Sequence, residues 1–437
     1  MISRRQLLKT SVVALAAGPA LLQHAARGGP VESARTAEPS PADPATSTGV
    51  GRSPLTVPNG ALLPWRLVDG VKVFHLVAEE VDHEFAPGLR AKCWGYNGRT
   101  PGPVIEAVEG DHVRIYVTNK LPEATSTHWH GVFVPNGMDG VGGLTQQPIP
   151  PGATFKYEFT LRQHGTFMYH PHVDEMTQMG LGMTGMFVVH PRDAETPPPD
   201  RDFSLMLHEW RIDPGAARPD PTEMTDFNVL TLNSKVYPAT APLVVKKGDR
   251  VRIRLGNLGA MDHHPIHLHG YAFKIIATDG GAVPASAQRP ETTVLVPVGA
   301  VRVVEFVADA PGDWPMHCHM THHTMTQMGH GMPNLIGVDT GKLDPQLQKH
   351  LPGYMSMGQT GMSDMAEMGM AVPGNSTPMV GGSGPHGYID MGGMFTILKV
   401  RETLADYDTD PGWYQAPPGT VAGPATADEL RHDLGET

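Results

Sequence analysis

The residues His317-Cys318-His319-Met320-Thr321-His322-His323, followed by Met328, concentrate the soft and borderline metal donors of this chain into twelve positions. A thiolate, two imidazoles and a weak axial thioether are the donor set of a blue-copper electron-transfer site. The histidines flanking the cysteine face away from that metal if the segment is extended, because neighbours on a strand point to opposite sides. They are then free to serve a second metal centre, so one tripeptide can join an electron entry site to a reaction site.

Three further blocks complete the set: His128-Trp129-His130-Gly131, His170-Pro171-His172 and His264-Pro265-Ile266-His267-Leu268-His269-Gly270. A single His-x-His carries little weight. Four such blocks with one embedded cysteine are hard to produce by chance. In this order and spacing they resemble the multicopper oxidase family.

The resemblance implies roles block by block. His128 would bind the type 2 copper and His130 a type 3 copper. His170 and His172 would bind type 3 coppers. His264, His267 and His269 would serve types 1, 2 and 3 in turn. Cys318 and His323 would complete type 1, with His317 and His319 on type 3 and Met328 as the axial thioether, which lowers the reduction potential of the blue site relative to an inert residue. Four coppers per functional unit follow: one type 1, one type 2 and two type 3. Asp139, in Met138-Asp139-Gly140, matches an acid that relatives place near the type 2 copper as a proton relay. An ordinary turn aspartate is an equal reading, since Asp-Gly is a strong turn signal. Spacing sets aside His263 and His322, and His83, His164, His190, His208, His330 and His350 fit no block.

The elements that position these residues are legible as a repeat. Gly110-Asp111-His112-Val113-Arg114-Ile115-Tyr116-Val117 matches Gly248-Asp249-Arg250-Val251-Arg252-Ile253-Arg254-Leu255, and both alternate apolar and polar residues as half-buried strands do. Each is followed by a His-x-His-Gly block, then by a His-x-His block, then by Met-Thr-Gln-Met-Gly. The chain reads as one β-domain written twice, over about residues 62–195 and 200–401, joined by a stiff Pro-rich linker over 192–200. Short strands with Pro and Gly turns predict an all-β fold of Greek-key sandwiches; the family resemblance implies cupredoxin-like domains. The first copy has Pro171 where the second has Cys318, and Thr125 where it has His264. Only the second copy should hold a blue copper.

Eight histidines remain for a trinuclear cluster, four from each copy, with no middle domain. That resembles the two-domain, small-laccase type, and implies a homotrimer with clusters at its seams. Dioxygen and a small reductant, a phenol, an aromatic amine or Cu(I), would be the reaction partners. A copper-sequestering resistance protein is the alternative. A copper nitrite reductase is a weaker one, because that family carries its blue cysteine in the first domain.

Composition agrees with a strand-and-turn protein and bounds the partners. The 437 residues include 50 Gly, 42 Pro, 24 Met and two Cys, with a formal net charge of -12. No basic run lies beyond the N-terminus, which excludes nucleic acid as an expected partner. Cys93 has no free partner if Cys318 binds metal, so the fold does not rest on disulfides. Arg4-Arg5 before a short apolar run over 11–22 resembles a twin-arginine export signal (residues 1–27), giving a periplasmic or extracellular location in a bacterium. No later segment is apolar enough to span a membrane. Residues 28–61 read as a flexible leader. A methionine-rich insert (about 340–391) reads either as a Cu(I) carrier or as gap-filling packing, and 402–437 as a polar tail.

Overall fold

The computed structural model describes residues 52–327, 334–335, 344–350, 355–356, 374–378 and 381–435. The export signal, Met328 and most of the methionine-rich insert lie outside the described residues.

The first copy is a two-sheet sandwich. Its outer sheet contains β1 (Trp65–Val68), β2 (Val71–Ala86), β3 (Leu89–Tyr96), β5 (His112–Asn119) and β7 (Thr154–Thr160), running β1-β2-β5-β7 with β3 also paired to β2. The second sheet runs β4-β9-β8-β6, made of β4 (Ile105–Val108), β6 (His128–His130), β8 (Gly165–His170) and β9 (Gly185–His190). Strand β5 shows the strict inward–outward alternation that its sequence announces. Trp129, Tyr169 and Phe187 fill the space between the sheets.

The second copy repeats this plan. One sheet is built on β10 (Arg201–Trp210), β11 (Val229–Leu232), β13 (Arg250–Asn257), β15 (Phe273–Thr278) and β17 (Val301–Val307), with short edge strands added. The other runs β12 (Leu243–Lys246), β19 (Phe395–Arg401), β18 (Gly312–Cys318), β14 (His264–Leu268), β16 (Thr293–Val296). The repeat is in register down to single residues. His128 lies opposite His170 across β6 and β8, and His267 lies opposite His317 across β14 and β18.

Ordered chain begins earlier than the leader assignment expects. Leu55–Thr56 forms a parallel bridge to Asp202 and Phe203 of β10. The Pro- and Ser-rich composition hides one good anchor: Leu55 is buried in a cluster with Val104, Met168, Met186 and Val188 of the first copy and Met206, Leu258, Val301 and Val303 of the second. The C-terminal segment is likewise more than a polar tail, since Tyr407, Trp413 and Tyr414 stack on Arg201, Lys399 and Arg401.

Charge reinforces this apolar seam. Arg254 makes a bidentate pair with Asp202 at 2.8 and 2.7 Å, and its remaining arm donates to Thr166 Oγ1 of β8 at 2.6 Å. All three residues are buried. Linker residue Glu195 accepts from both Arg250 and Arg252. Removing one partner of a buried pair strands the other charge. Arg254→Ala is therefore expected to lower stability by about 3–5 kcal/mol, measured by denaturant unfolding, with the loss concentrated between the two copies.

Candidate metal centres

Strand alternation sorts the histidines of β14. His264, Ile266 and Leu268 are buried, while His267 is half-buried on the other face. The i, i+3, i+5 spacing therefore sends His264 inward and His267 and His269 outward. On β18 the same rule sets Cys318 into the apolar core with Ile266 and Leu268, and turns His317 to the opposite face.

The inward group is compact. Cys318 Sγ lies 3.3 Å from His323 Nδ1 and 3.8 Å from His264 Nδ1, and the two imidazole nitrogens are 3.2 Å apart. Ligand atoms about 2.0–2.3 Å from one small ion stand about 3–4 Å from each other, so the spacing fits a single metal. Burial pushes the Cys318 thiol up to about 12. Binding must therefore release its proton. In the first copy Thr125, the counterpart of His264 in the repeat, donates through Oγ1 to Gln178 Oε1 at 2.7 Å, both residues wholly buried.

The outward histidines form two quartets. In the first, the His128 ring contacts those of His130, His170 and His172 at centroid distances of 5.3–5.8 Å. In the second, His267 contacts His269, His317 and His319 at 4.8–5.8 Å. Within each, one pair of ring nitrogens approaches as two ligands of one ion would: His130 Nδ1 and His170 Nε2 at 3.3 Å, His269 Nε2 and His317 Nε2 at 3.1 Å. Among the described residues, no ring contact joins one quartet to the other.

Backbone carbonyls orient these rings. His128 Nδ1 donates to Asp139 O at 2.7 Å, and His267 Nδ1 to Thr292 O at 2.7 Å. His170 donates to Pro171 O and His317 to Cys318 O, both at 2.9 Å. A carbonyl can only accept, so each Nδ1 carries the proton and each Nε2 lone pair is left for metal. Burial lowers His170 to about 3 and also holds His130 and His317 below the ordinary imidazole value, which keeps them neutral.

Asp139 stands at this first quartet. Its carbonyl orients His128, and its carboxylate Oδ1 lies 3.5 Å from the same ring. Gly140 makes the approach possible. It has φ +85°, and a Cβ there would lie 1.8 Å from Thr127 O.

Two acids that the sequence reading did not single out back the inward site. Glu209 Oε2 lies 3.3 Å from His264 Nε2, and Asp262 Oδ2 lies 3.4 Å from His323 Nε2. The His323 ring holds the Asp262 carboxyl below its usual range. A charged residue inside the apolar run Ser204-Leu205-Met206-Leu207-His208-Glu209-Trp210 was the available signal for Glu209.

Five histidines set aside by spacing have other partners. His83 bonds to Ser234 O, His164 pairs with Glu109, His190 with Glu106, and His208 bonds to Leu258 O. His263 Nδ1 accepts from Val298 N. Burial depresses His83 and His208, each to about 4. A folded-state value below the unfolded 6.5 means that the unfolded chain takes up the proton first. Stability should therefore fall as pH drops from about 6.5 to 4, by up to about 1.4 kcal/mol per pH unit for each group. Urea unfolding of the metal-free protein across that window should show the slope, and His83→Gln should flatten it.

Family models described as multicopper oxidase match residues 78–194 and 213–336, which contain all four histidine blocks. The chain belongs to the multicopper oxidase family. This multicopper oxidase is 31% identical over 247 residues to laccase-19 of Oryza sativa subsp. japonica, covering 52% of this chain and 40% of that protein. It is 28% identical over 241 residues to copper resistance protein A of Pseudomonas syringae pv. tomato, covering 44% of this chain and 39% of the relative. The chain thus spans about two fifths of the length of these curated relatives. Among solved structures, the blue copper oxidase of Nitrosomonas europaea superposes with a TM-score of 0.55 at 27% identity, covering 75% of this chain and 85% of that one. The multicopper oxidase mgLAC gives 0.55 at 27%, covering 78% and 91%.

Proposed function

We propose that this chain is an oxidase that withdraws single electrons from a small reductant at its inward site and delivers them to dioxygen at its outward histidines, four electrons and four protons yielding two waters. Four copper ions, one at His264, Cys318 and His323 and three among the eight outward histidines, supply the one-electron chemistry when bound. The observation that carries this reading is the placement of Cys318 and its neighbour His317 on opposite faces of β18. Adjacent peptides thereby connect a buried thiolate to a histidine cluster. Met328 is the proposed axial ligand.

The chain's own groups handle protons and orientation. Asp139, with its side chain about one third exposed and beside His128, can pass protons between solvent and the first quartet. The carbonyls of Asp139, Pro171, Thr292 and Cys318 fix the imidazole tautomers before any metal arrives.

Each quartet is half of a cluster, and a second copy of the chain would complete it. A head-to-tail contact between one subunit's first quartet and its neighbour's second closes into a ring, and three subunits is the proposed number. Exposed apolar residues near the blocks in sequence are in keeping with such a contact. Phe133 follows the first histidine block and Met176 the second, while Leu295 lies opposite Pro265 and Met320 follows His319. Export by the twin-arginine route to the periplasm or beyond is part of the same reading. Among the described residues no helix is long and apolar enough to cross a membrane.

The reductant is a phenol, an aromatic amine or Cu(I). Met391 packs beside Ile389, Tyr237 and Phe395, which favours a packing role for that member of the methionine-rich insert. The likeness to copper resistance protein A supports copper sequestration as a second reading. Oxygen uptake with a phenol, an aromatic diamine and Cu(I) tests both. Catalytic uptake at one O2 per four electrons supports the oxidase; tight copper binding without turnover supports sequestration.

A further inference from the structure

Glu209 is an acid where the fold offers it no water. It lies on β10 between His208 and Trp210, and its side chain is wholly buried, as is that of His264. A buried carboxylate persists only where donors replace its hydration. Its Oε1 accepts from the backbone N–H of Met261 and, at 2.8 Å, from that of Asp262. Its Oε2 has no hydrogen-bond partner and faces His264 Nε2 at 3.3 Å, itself without another partner. Gly259 leaves room for this oxygen, since a Cβ there would lie 2.6 Å from it.

We propose that Glu209 is the positioning residue of the blue site: one carboxylate fixes the outer nitrogen of His264 directly and that of His323 through the loop that carries Asp262. The direct limb is the 3.3 Å approach of Oε2 to Nε2, which favours a proton on that nitrogen and leaves the Nδ1 lone pair on the side of Cys318. The indirect limb runs through the two amides. They anchor residues 261 and 262, and Asp262 reaches His323 Nε2 at 3.4 Å. Each outer nitrogen thus faces a carboxylate that favours the same tautomer, and the two acids are tied together through one loop. Carboxylates behind ligand imidazoles raise their basicity and favour the more oxidised metal. Glu209 should therefore lower the reduction potential of the site. This rests on the reading that His264, Cys318 and His323 hold copper.

The test uses Glu209→Gln in the full chain. A glutamine oxygen can keep the two amide contacts, but its NH2 then points at His264 Nε2 and favours the opposite tautomer. Nitrogen-15 NMR of the metal-free protein should find His264 protonated at Nε2 in the wild type and shifted toward Nδ1 in Glu209→Gln. In the copper-loaded variant the blue absorption should persist. Its equilibrium with a one-electron mediator should move at least tenfold toward the reduced site, about 59 mV. Asp262→Asn should shift the His323 tautomer and leave that of His264 in place. An unchanged tautomer and mediator equilibrium in a folded, blue Glu209→Gln would reduce Glu209 to a loop clamp. If that variant does not fold, wild-type His264 protonated at Nδ1 overturns the proposal by itself. A wild type that never turns blue with copper defeats the metal reading instead, and the tautomer measurement still decides the role of Glu209.

Discussion

Substitution of Cys318 by serine is expected to abolish the intense blue absorption of the copper-loaded protein and to reduce oxygen uptake with every reductant to the assay background. The sulfur is the only soft anionic donor in the inward site, where it sits 3.3 Å from His323 Nδ1 and 3.8 Å from His264 Nδ1. A serine hydroxyl is a hard, neutral donor at working pH and gives no thiolate charge-transfer band. The eight outward histidines are untouched, so copper content should fall by about one ion per chain. Cys93→Ala is the control. That thiol is buried among Phe85, Leu89 and Trp210, far from the histidine blocks in sequence, and burial pushes its pKa up. As a small hydrophobe, it should be replaceable with full retention of colour and turnover. A blue, active Cys318→Ser protein would sink the assignment of the inward site.

The inward and outward facing of these residues was legible because their spacing coincides with strand alternation. His264 and His267 differ by an odd number of residues and therefore face opposite ways, as Cys318 and His317 do. No structure is needed to see this once the segments are taken as strands. The groups that orient the histidine rings were not legible. Four of them are backbone carbonyls, which leave no trace in residue type. Asp139 was noticed for its carboxylate, yet its closest contact to His128 is through its carbonyl. Glu209 escaped because it reaches His264 across 55 positions of sequence, on a strand whose pairing with β13 cannot be read from its own residues. The N-terminal strap was missed for the opposite reason. Its composition is that of a linker, and one leucine in a contact between the two copies outweighs it. Local composition reports what most of a segment does, whereas a single buried side chain decides where it lies.

The proposal that each quartet is half of a cluster leads to the second large effect. A first variant, His170→Ala with His172→Ala, destroys the first quartet. A second, His267→Ala with His269→Ala, destroys the other. Each alone should show background oxygen uptake. Co-expressed in equal amounts, the two chains should recover about a quarter of wild-type turnover. In a head-to-tail ring every seam takes one quartet from each of two neighbours. With random assembly, half of the first quartets and half of the second are intact, and one seam in four receives both. The intact second quartet comes on a chain that still carries His264, Cys318 and His323, so such a seam also has its electron entry site. If each chain instead completed its own cluster, every chain in the mixture would carry one dead half, and uptake would stay at background. Two observations favour recovery. The rings within each quartet lie 4.8–6.1 Å apart, while among the described residues none spans the two. Exposed Phe133, Met176 and Met320 lie within a few residues of the histidine blocks in sequence, and a contact there would cover them. Differential affinity tags on the two chains would establish that mixed rings form. Mixed rings without activity would end the seam model.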